Sequence, residues 1–398
     1  MRILWVKSDF LHPPVAGGRI RTLEILRRLH ARHEIHYAAF LYPDQPDALS
    51  CCQEYCTRAY PVPIRLPDKR SLAFALQVAA ALFSPLPLAV SRYRSGKMRR
   101  LIASLRNSRE FDVVICDFLV PSVNLTDLAG CILFQHNVET LIWERHQSEA
   151  RDPLRRFYFR LQARRMEALE RQVCRQVAHV IAVSDADARL MRSRFGVSRV
   201  SVVPTGVDLD YFAPPQAAAP TKDLVFVGAM DWLPNIDGIL FFVRQVLPLI
   251  RRRRPHCTLT VAGRNPAPEI RALARQDPLI QVTGTVEDIR PYLWRSAVSI
   301  VPLRIGGGTR LKIYESMAAR VPVVSTSVGA EGLDIHSPEH FLRADTPADF
   351  AHACLELLQA PAQRARLSQS AWTWIAERYA WPKVVRRFEE ILEQTRQV

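Results

Sequence analysis

Short apolar runs rich in β-branched residues recur along the chain, separated by longer stretches in which apolar positions return every three or four residues. That alternation predicts strand–helix–strand units around parallel sheets, whose strands are buried on both faces and read as near-continuous hydrophobic runs. In the first half the pattern places six strands, at Ile3 to Val6, Ile35 to Leu41, Val113 to Cys116, Cys131 to Phe134, Val180 to Val183 and Val200 to Val203. It restarts further on, with strands at Leu224 to Val227, Leu259 to Ala262, Ile280 to Val282, Val298 to Val301, Val323 to Ser325 and Phe341 to Arg343. Between the halves lies APPQAAAPT, residues 213–221, which is Pro/Ala-rich, lacks an apolar period and predicts a linker. The expected fold is α/β, with two Rossmann-like, doubly wound parallel-sheet domains at 1–212 and 222–380 facing a cleft, each offering a ligand crevice at its strand carboxyl ends. Residues 381–398 predict an amphipathic helix, with Val384, Val385, Phe388, Ile391 and Leu392 at helical spacing, that can pack back on the N-terminal domain.

Two segments depart from that regularity. Ser71 to Ser91 carries no charge and is long enough to span a bilayer, but Pro85 and Pro87 would break a helix at mid-membrane. A core helix, a helix at a membrane surface and a span stay open, with a helix ending near Phe83 expected. From Arg151 to Arg175, Leu154, Phe157, Leu161, Met166, Leu169 and Val173 interleave with Arg, which suits either a solvated face with snorkelling Arg stems or contact with an anionic membrane or, as the weaker option, nucleic acid.

Composition narrows the partners. The 398 residues hold 54 Lys+Arg against 39 Asp+Glu, a net charge of +15 that attracts anions such as nucleotides, nucleic acid or a membrane surface. Zinc-finger spacing, RNP-like aromatics and helix-turn-helix signals are missing from the sequence, so nucleic acid is not expected. Eight Cys without paired CxxC spacing, several inside apolar runs, predict reduced buried thiols and a cytoplasmic protein. Cys51, Cys52 and Cys56 have no second ligand group of matching spacing, so no metal is expected. The N-terminus turns polar after six residues and reads as a buried strand rather than a signal peptide.

The candidate chemistry gathers after strands. Gly17 and Gly18 follow the first strand and open a helix with Ile20, Leu23, Leu26 and Leu29 on its apolar face, freeing backbone N–H groups toward an anion; a plain tight turn is the alternative. In IGGGTRLKIYE three glycines run into a helix with Arg310, Lys312 and Glu315, an arrangement suited to a diphosphate, with an intrahelical Lys312–Glu315 pair as the alternative. His136 and Asn137 fall at the carboxyl end of a buried strand, and Asp117 holds the same position after VVIC.

Taken in order, GGRIRT, QHNVET, AVSDADA, VPTGVDLDYF, FVGAMDWLPN, TVAGR, VTGTVEDIRPYL and GGGTRLKIYESMAARVPVVSTSVGAEGL make the sequence resemble the group 1 retaining glycosyltransferases (family 4) of GT-B fold. The resemblance covers nearly the whole chain and is most specific at residues 203–333. It implies a nucleotide diphosphate sugar donor held mainly by the C-terminal domain, a saccharide or lipid-linked acceptor held mainly by the N-terminal one, domain closure, and no cofactor or metal. It assigns Glu315 to the donor ribose, Gly17 and Gly18 to the diphosphate, His136 to the donor sugar and Val286 to the base. Gly228, Gly307, Gly308 and Thr309 complete the donor site, and Arg310 and Lys312 act with His136 in catalysis. Two positions depart from the family: Gly307 stands where a first Glu is common, and Ala229 and Asn235 stand where an Arg and Lys pair is common. Arg310 and Lys312 can supply that missing positive charge. The implied activity is sugar transfer with retention, in cell-surface or exopolysaccharide synthesis at the cytoplasmic face of the membrane. A nucleotide-sugar epimerase or sugar phosphorylase, and a catalytically silent nucleotide-sugar-binding subunit, are the alternatives.

Overall fold

The computed structural model describes residues 1–398 except 15, 16, 44, 46, 47, 69, 109, 110, 151, 216–219, 306–310, 397 and 398, and the side chain of 149. Contacts divide the chain into two units, Met1–Pro204 with Val384–Val398, and Thr205–Lys383. In unit 1, strands β1 (Arg2–Lys7), β2 (Glu34–Leu41), β3 (Arg58–Pro63), β4 (Val113–Asp117), β5 (Cys131–Phe134), β6 (His179–Ala182) and β7 (Val200–Val202) form one parallel sheet in the order β3-β2-β1-β4-β5-β6-β7. Unit 2 has β8 (Lys222–Val227), β9 (Leu259–Ala262), β10 (Ile280–Gly284), β11 (Ser296–Val301), β12 (Val323–Ser325) and β13 (Leu342–Arg343), in the order β10-β9-β8-β11-β12-β13, also parallel. The fold is thus two doubly wound α/β units.

In both sheets the strand order reverses beside the first strand, between β1 and β4 and between β8 and β11. At such a switch point the following loops diverge and leave a crevice at the strand carboxyl ends. Asp117 ends β4 at one of these points, and the segments leading to Gly17 and Gly228 leave from the ends of β1 and β8.

Every expected strand is present, but β3 was not expected. Its sequence, RAYPVP, carries Pro61 and Pro63, which cannot donate to a ladder on both sides. Pairing only with β2 at the sheet edge makes those prolines tolerable.

The boundary between the units falls at Pro204/Thr205, upstream of the segment 213–221 read as a linker, of which 216–219 lie outside the described residues. Residues 205–212 go with unit 2 because Phe212 is buried in its core, Val207 bridges to Ala380, and Trp294 Nε1 donates to the Phe212 carbonyl at 2.9 Å. The helix Trp381–Arg396 begins in unit 2, and from Val384 its residues join unit 1. There Phe388 stacks on Trp5 at 5.8 Å and meets Phe134 edge-on at 5.2 Å.

The uncharged segment 71–91 is not a core helix. Ser71 caps the helix Leu72–Ala81, whose only buried side chain is Ala81, and burial resumes at Leu88 and Val90. Among the described residues, the helix long and apolar enough to cross a membrane is instead Leu233–Arg251, whose Ile239, Phe242, Val246 and Ile250 sit in the unit 2 core.

Candidate functional site

Within unit 1 the carboxyl ends of β1, β4 and β5 converge on one buried carboxylate. Asp117, the last residue of β4, accepts from Trp5 Nε1 at 2.9 Å and Thr22 Oγ1 at 2.7 Å, and Lys7 Nζ lies 3.0 Å away. Its other oxygen meets His136 Nε2 at 2.7 Å. Asp117 and Lys7 are essentially sealed from solvent, at 0% and 1% exposure. Burial on its own would raise the Asp117 pKa, but the Lys7 ammonium, His136 and Thr22 hold it well below the usual range. Burial pushes His136 down to about 3 against the pull of Asp117, so the imidazole is neutral at pH 7.

A carboxylate can only accept, so His136 carries its proton on Nε2 and presents an Nδ1 lone pair. The ring is held from below by Phe118, stacked at 3.9 Å and 10°. Phe118 occupies φ 70°, a left-handed conformation that is strained for an aromatic residue. A Cβ at Gly18 would fall 2.7 Å from the Phe118 ring and 3.7 Å from His136 Nδ1, so the glycine turn can approach only without a side chain. Gly17 faces open space. Of the apolar face expected on the helix Gly17–His30, Leu23, Leu26 and Leu29 are buried, whereas Ile20 is exposed and the buried polar positions are Arg21 and Thr22.

The segment after His136 is anchored by an acid of the Arg-rich helix Pro153–Gln176. Glu170 accepts from Gln135 Nε2 and the Glu139 N–H at 3.0 Å each, and from the Thr140 N–H and hydroxyl at 3.0 and 2.6 Å. The inner face of that helix is therefore neither a solvated face nor a contact surface. Glu139 beside it is pushed up to about 7 by burial and by the Glu170 charge.

In unit 2, Lys312 on the helix Leu311–Ala318 reaches back to the end of β8. Its Nζ donates to Asn235 Oδ1 at 2.8 Å and lies 4.2 Å from the Phe226 ring centre. Asn235 in turn donates to the Ala229 carbonyl at 2.8 Å. A Cβ at Gly228 would come 2.7 Å from the Lys312 ammonium, so the glycine leaves room for the charge at the strand end. Lys312 thus points to Asn235 rather than pairing with Glu315, as the intrahelical alternative required. Glu315 is half-buried and raised to about 6, by burial first, with Lys312 pulling the other way. Val286 lies in the loop after β10, the edge strand, at the same end of the sheet but two strands from β8. Gly307, Gly308, Thr309 and Arg310 lie outside the described residues.

The description "Glycosyltransferase Family 4" matches residues 15–211, and "Glycosyl transferases group 1" matches 221–360. The chain belongs to the group 1, family 4 glycosyltransferases. Similar curated proteins include an uncharacterized protein in the cps region of Klebsiella pneumoniae, 21% identical over 96% of this chain and 97% of its own length. Another is the lipopolysaccharide core biosynthesis mannosyltransferase LpcC of Rhizobium leguminosarum, 28% identical over 45% of this chain and 53% of its own. Among solved structures, sucrose-phosphate synthase of Thermosynechococcus elongatus matches with TM-score 0.68 at 15% identity over 99% of this chain and 98% of that one. Anabaena HepE in complex with UDP-glucose matches with TM-score 0.64 at 14% identity over 99% and 100%. These likenesses carry the GT-B fold.

Several residues of the candidate site in this glycosyltransferase belong to no sequence motif. Lys7 is embedded in an apolar strand, and Thr22, Phe118 and Glu170 come from distant parts of the sequence. A charged residue within a buried strand, as in ILWVK, is the one signal that could have flagged Lys7. One further cluster lies apart from the family motifs: ligand atoms of His12, Cys51 and Glu54 fall within 4.8 Å of one another. The Arg27 guanidinium donates to Glu54 Oε2 through both Nε, at 3.0 Å, and Nη2, so that carboxylate is already neutralised.

Proposed function

We propose that the protein transfers a sugar, with retention, from a nucleotide diphosphate sugar to a saccharide or lipid-linked acceptor in cell-surface or exopolysaccharide synthesis in the cytoplasm. The observation that carries the reading is the Lys312 ammonium, fixed by Asn235 at the Gly228 strand end. A cation held there in advance stabilises a leaving diphosphate without reorganising as charge develops. Arg310 and the amides of Gly307, Gly308 and Thr309 are assigned to the same diphosphate, Gly17 and Gly18 approach it, and no cofactor is required by the reading.

Glu315 accepts from the donor ribose hydroxyls, and Val286 lies beside the base. The His136 Nδ1 lone pair accepts from a hydroxyl of the donor sugar, with Asp117 fixing the tautomer. The relatives lend support: HepE was crystallised with UDP-glucose, and LpcC is a mannosyltransferase of lipopolysaccharide core biosynthesis. Retention follows if the leaving phosphate oxygen takes the acceptor proton as the acceptor attacks from the same face.

The test is nucleoside diphosphate release from a panel of nucleotide sugars, with and without a lipid extract, followed by anomer-resolved spectra of the product. Release with one donor, abolished by Glu315→Ala and Arg310→Ala, and a product of retained configuration are expected. Saturable donor binding without release, or an inverted linkage, contradicts the proposal.

A further inference from the structure

Residues 72–83 and the first turns of the helix Pro153–Gln176 carry apolar side chains that none of the described residues of unit 1 covers. Leu72 is 77% exposed, Phe83 91% and Leu154 80%, and Leu76, Leu82 and Phe157 are also open. Six of the thirteen large apolar side chains exposed among the described residues therefore lie on two short segments, unlike the single exposed residues that any surface shows.

The two segments are joined. Arg165 donates to the carbonyls of Ala81 and Leu82, and Gln162 Oε1 accepts from the Leu88 N–H at 2.8 Å. Along the longer helix, Leu154, Phe157, Leu161 and Arg165 follow helical spacing, so the open side chains share a stripe with the residue that holds the shorter helix. Leu72, Leu76, Ala79 and Phe83 likewise form one stripe. At about 1.5 Å per residue, all six lie within roughly 16 Å of the joint along either axis.

The surrounding charge is predominantly positive. Residues 70–94 and 152–165 together contain eight Arg and one acid, Asp152, which is spent capping its helix through the Leu154 and Arg155 N–H groups. Arg155, Arg156, Arg160 and Arg164 are exposed, and none has an acidic partner among the described residues. A cavity of about 680 Å³ that opens beside Pro85 and Leu86 adds Arg99 to the same edge, together with Asp127, which is paired with Arg106.

We infer that this face docks in the plane of an anionic lipid bilayer, with the six apolar side chains entering the boundary between headgroups and acyl chains and the Arg side chains meeting lipid phosphates. Uncharged apolar tips set among many Arg, with Asp68 and Asp152 turned to backbone N–H groups of Arg70, Leu154 and Arg155, match that environment. A second copy of the chain on the same face would meet it with like charge. The helix Leu72–Ala81, about 15 Å long, lies on the bilayer rather than crossing a core of about 30 Å. The inference goes beyond the proposed activity and stands independently of donor and acceptor.

The test is co-sedimentation of the whole protein with vesicles of phosphatidylglycerol in phosphatidylcholine and of phosphatidylcholine alone, with no sugar nucleotide present. Binding to the anionic vesicles, weakened by salt, is expected. The pair Leu72→Glu and Phe83→Glu is expected to lower partitioning by at least about tenfold, since each side chain is anchored by apolar burial. Arg155→Glu with Arg156→Glu is expected to lower it on the order of tenfold on anionic vesicles only. All four positions are exposed, and unchanged melting curves verify that the variants fold. No binding to anionic vesicles, equal binding by the variants, or a wild-type dimer that the Leu72→Glu and Phe83→Glu pair dissociates overturns the inference. Donor turnover does not enter the readout, so its outcome is separable from that of the proposed activity.

Discussion

Asp117 is sealed from bulk solvent, and its protein partners set its charge and what the first unit's candidate site can do. Lys7 balances the carboxylate from within the strand, and His136, kept neutral, is left with a lone pair on Nδ1. Removing the cation strands the buried charge, so Lys7→Met is expected to cost about 3–5 kcal/mol in denaturant unfolding. Glu315 sets the pH dependence in the second unit. Its pKa is raised, so the folded chain retains that proton up to about pH 6, and only above it does Glu315 offer both charged oxygens to the ribose hydroxyls of the proposed donor, the protonated acid being the weaker acceptor. The donor KM is therefore expected to rise as pH falls through about 6, and Glu315→Gln should remove that inflection. A profile with the same inflection in Glu315→Gln would assign it to another group. Because His136 titrates near 3, no inflection in the ordinary histidine range is expected from it.

At the scale of elements, the strands were legible because a strand buried on both faces cannot avoid an apolar run. The edge strand Arg58–Pro63 was not, since its prolines and half-exposed face resemble a loop. The segment 71–91 misled in the other direction: apolar composition alone does not say whether a helix faces a core, and here only Ala81 does. The glycine turns, His136, Lys312 and Glu315 could be found from motifs. The bonds that aim them could not, because Asp117–His136 and Asn235–Lys312 join residues 19 and 77 positions apart. The last helix makes a direct test of its own packing. Phe388 is fully buried against Trp5 and Phe134, so Phe388→Ala is expected to destabilise unit 1 by about 3–5 kcal/mol in calorimetry, and a wild-type unfolding transition would contradict that packing.

For the molecule as a whole, each of two doubly wound units offers its strand carboxyl ends, and the chain's net charge of +15 favours anionic ligands. In the proposed reaction Lys312 is the cation that meets the leaving diphosphate, at a strand end where Ala229 and Asn235 follow β8. The most direct measurement is the turnover of wild type, Lys312→Ala and Asn235→Ala with the donor that the panel identifies. The account predicts a loss in kcat of roughly a hundred- to a thousandfold for Lys312→Ala and a smaller loss for Asn235→Ala, with both variants folded. Turnover unchanged in Lys312→Ala would contradict it.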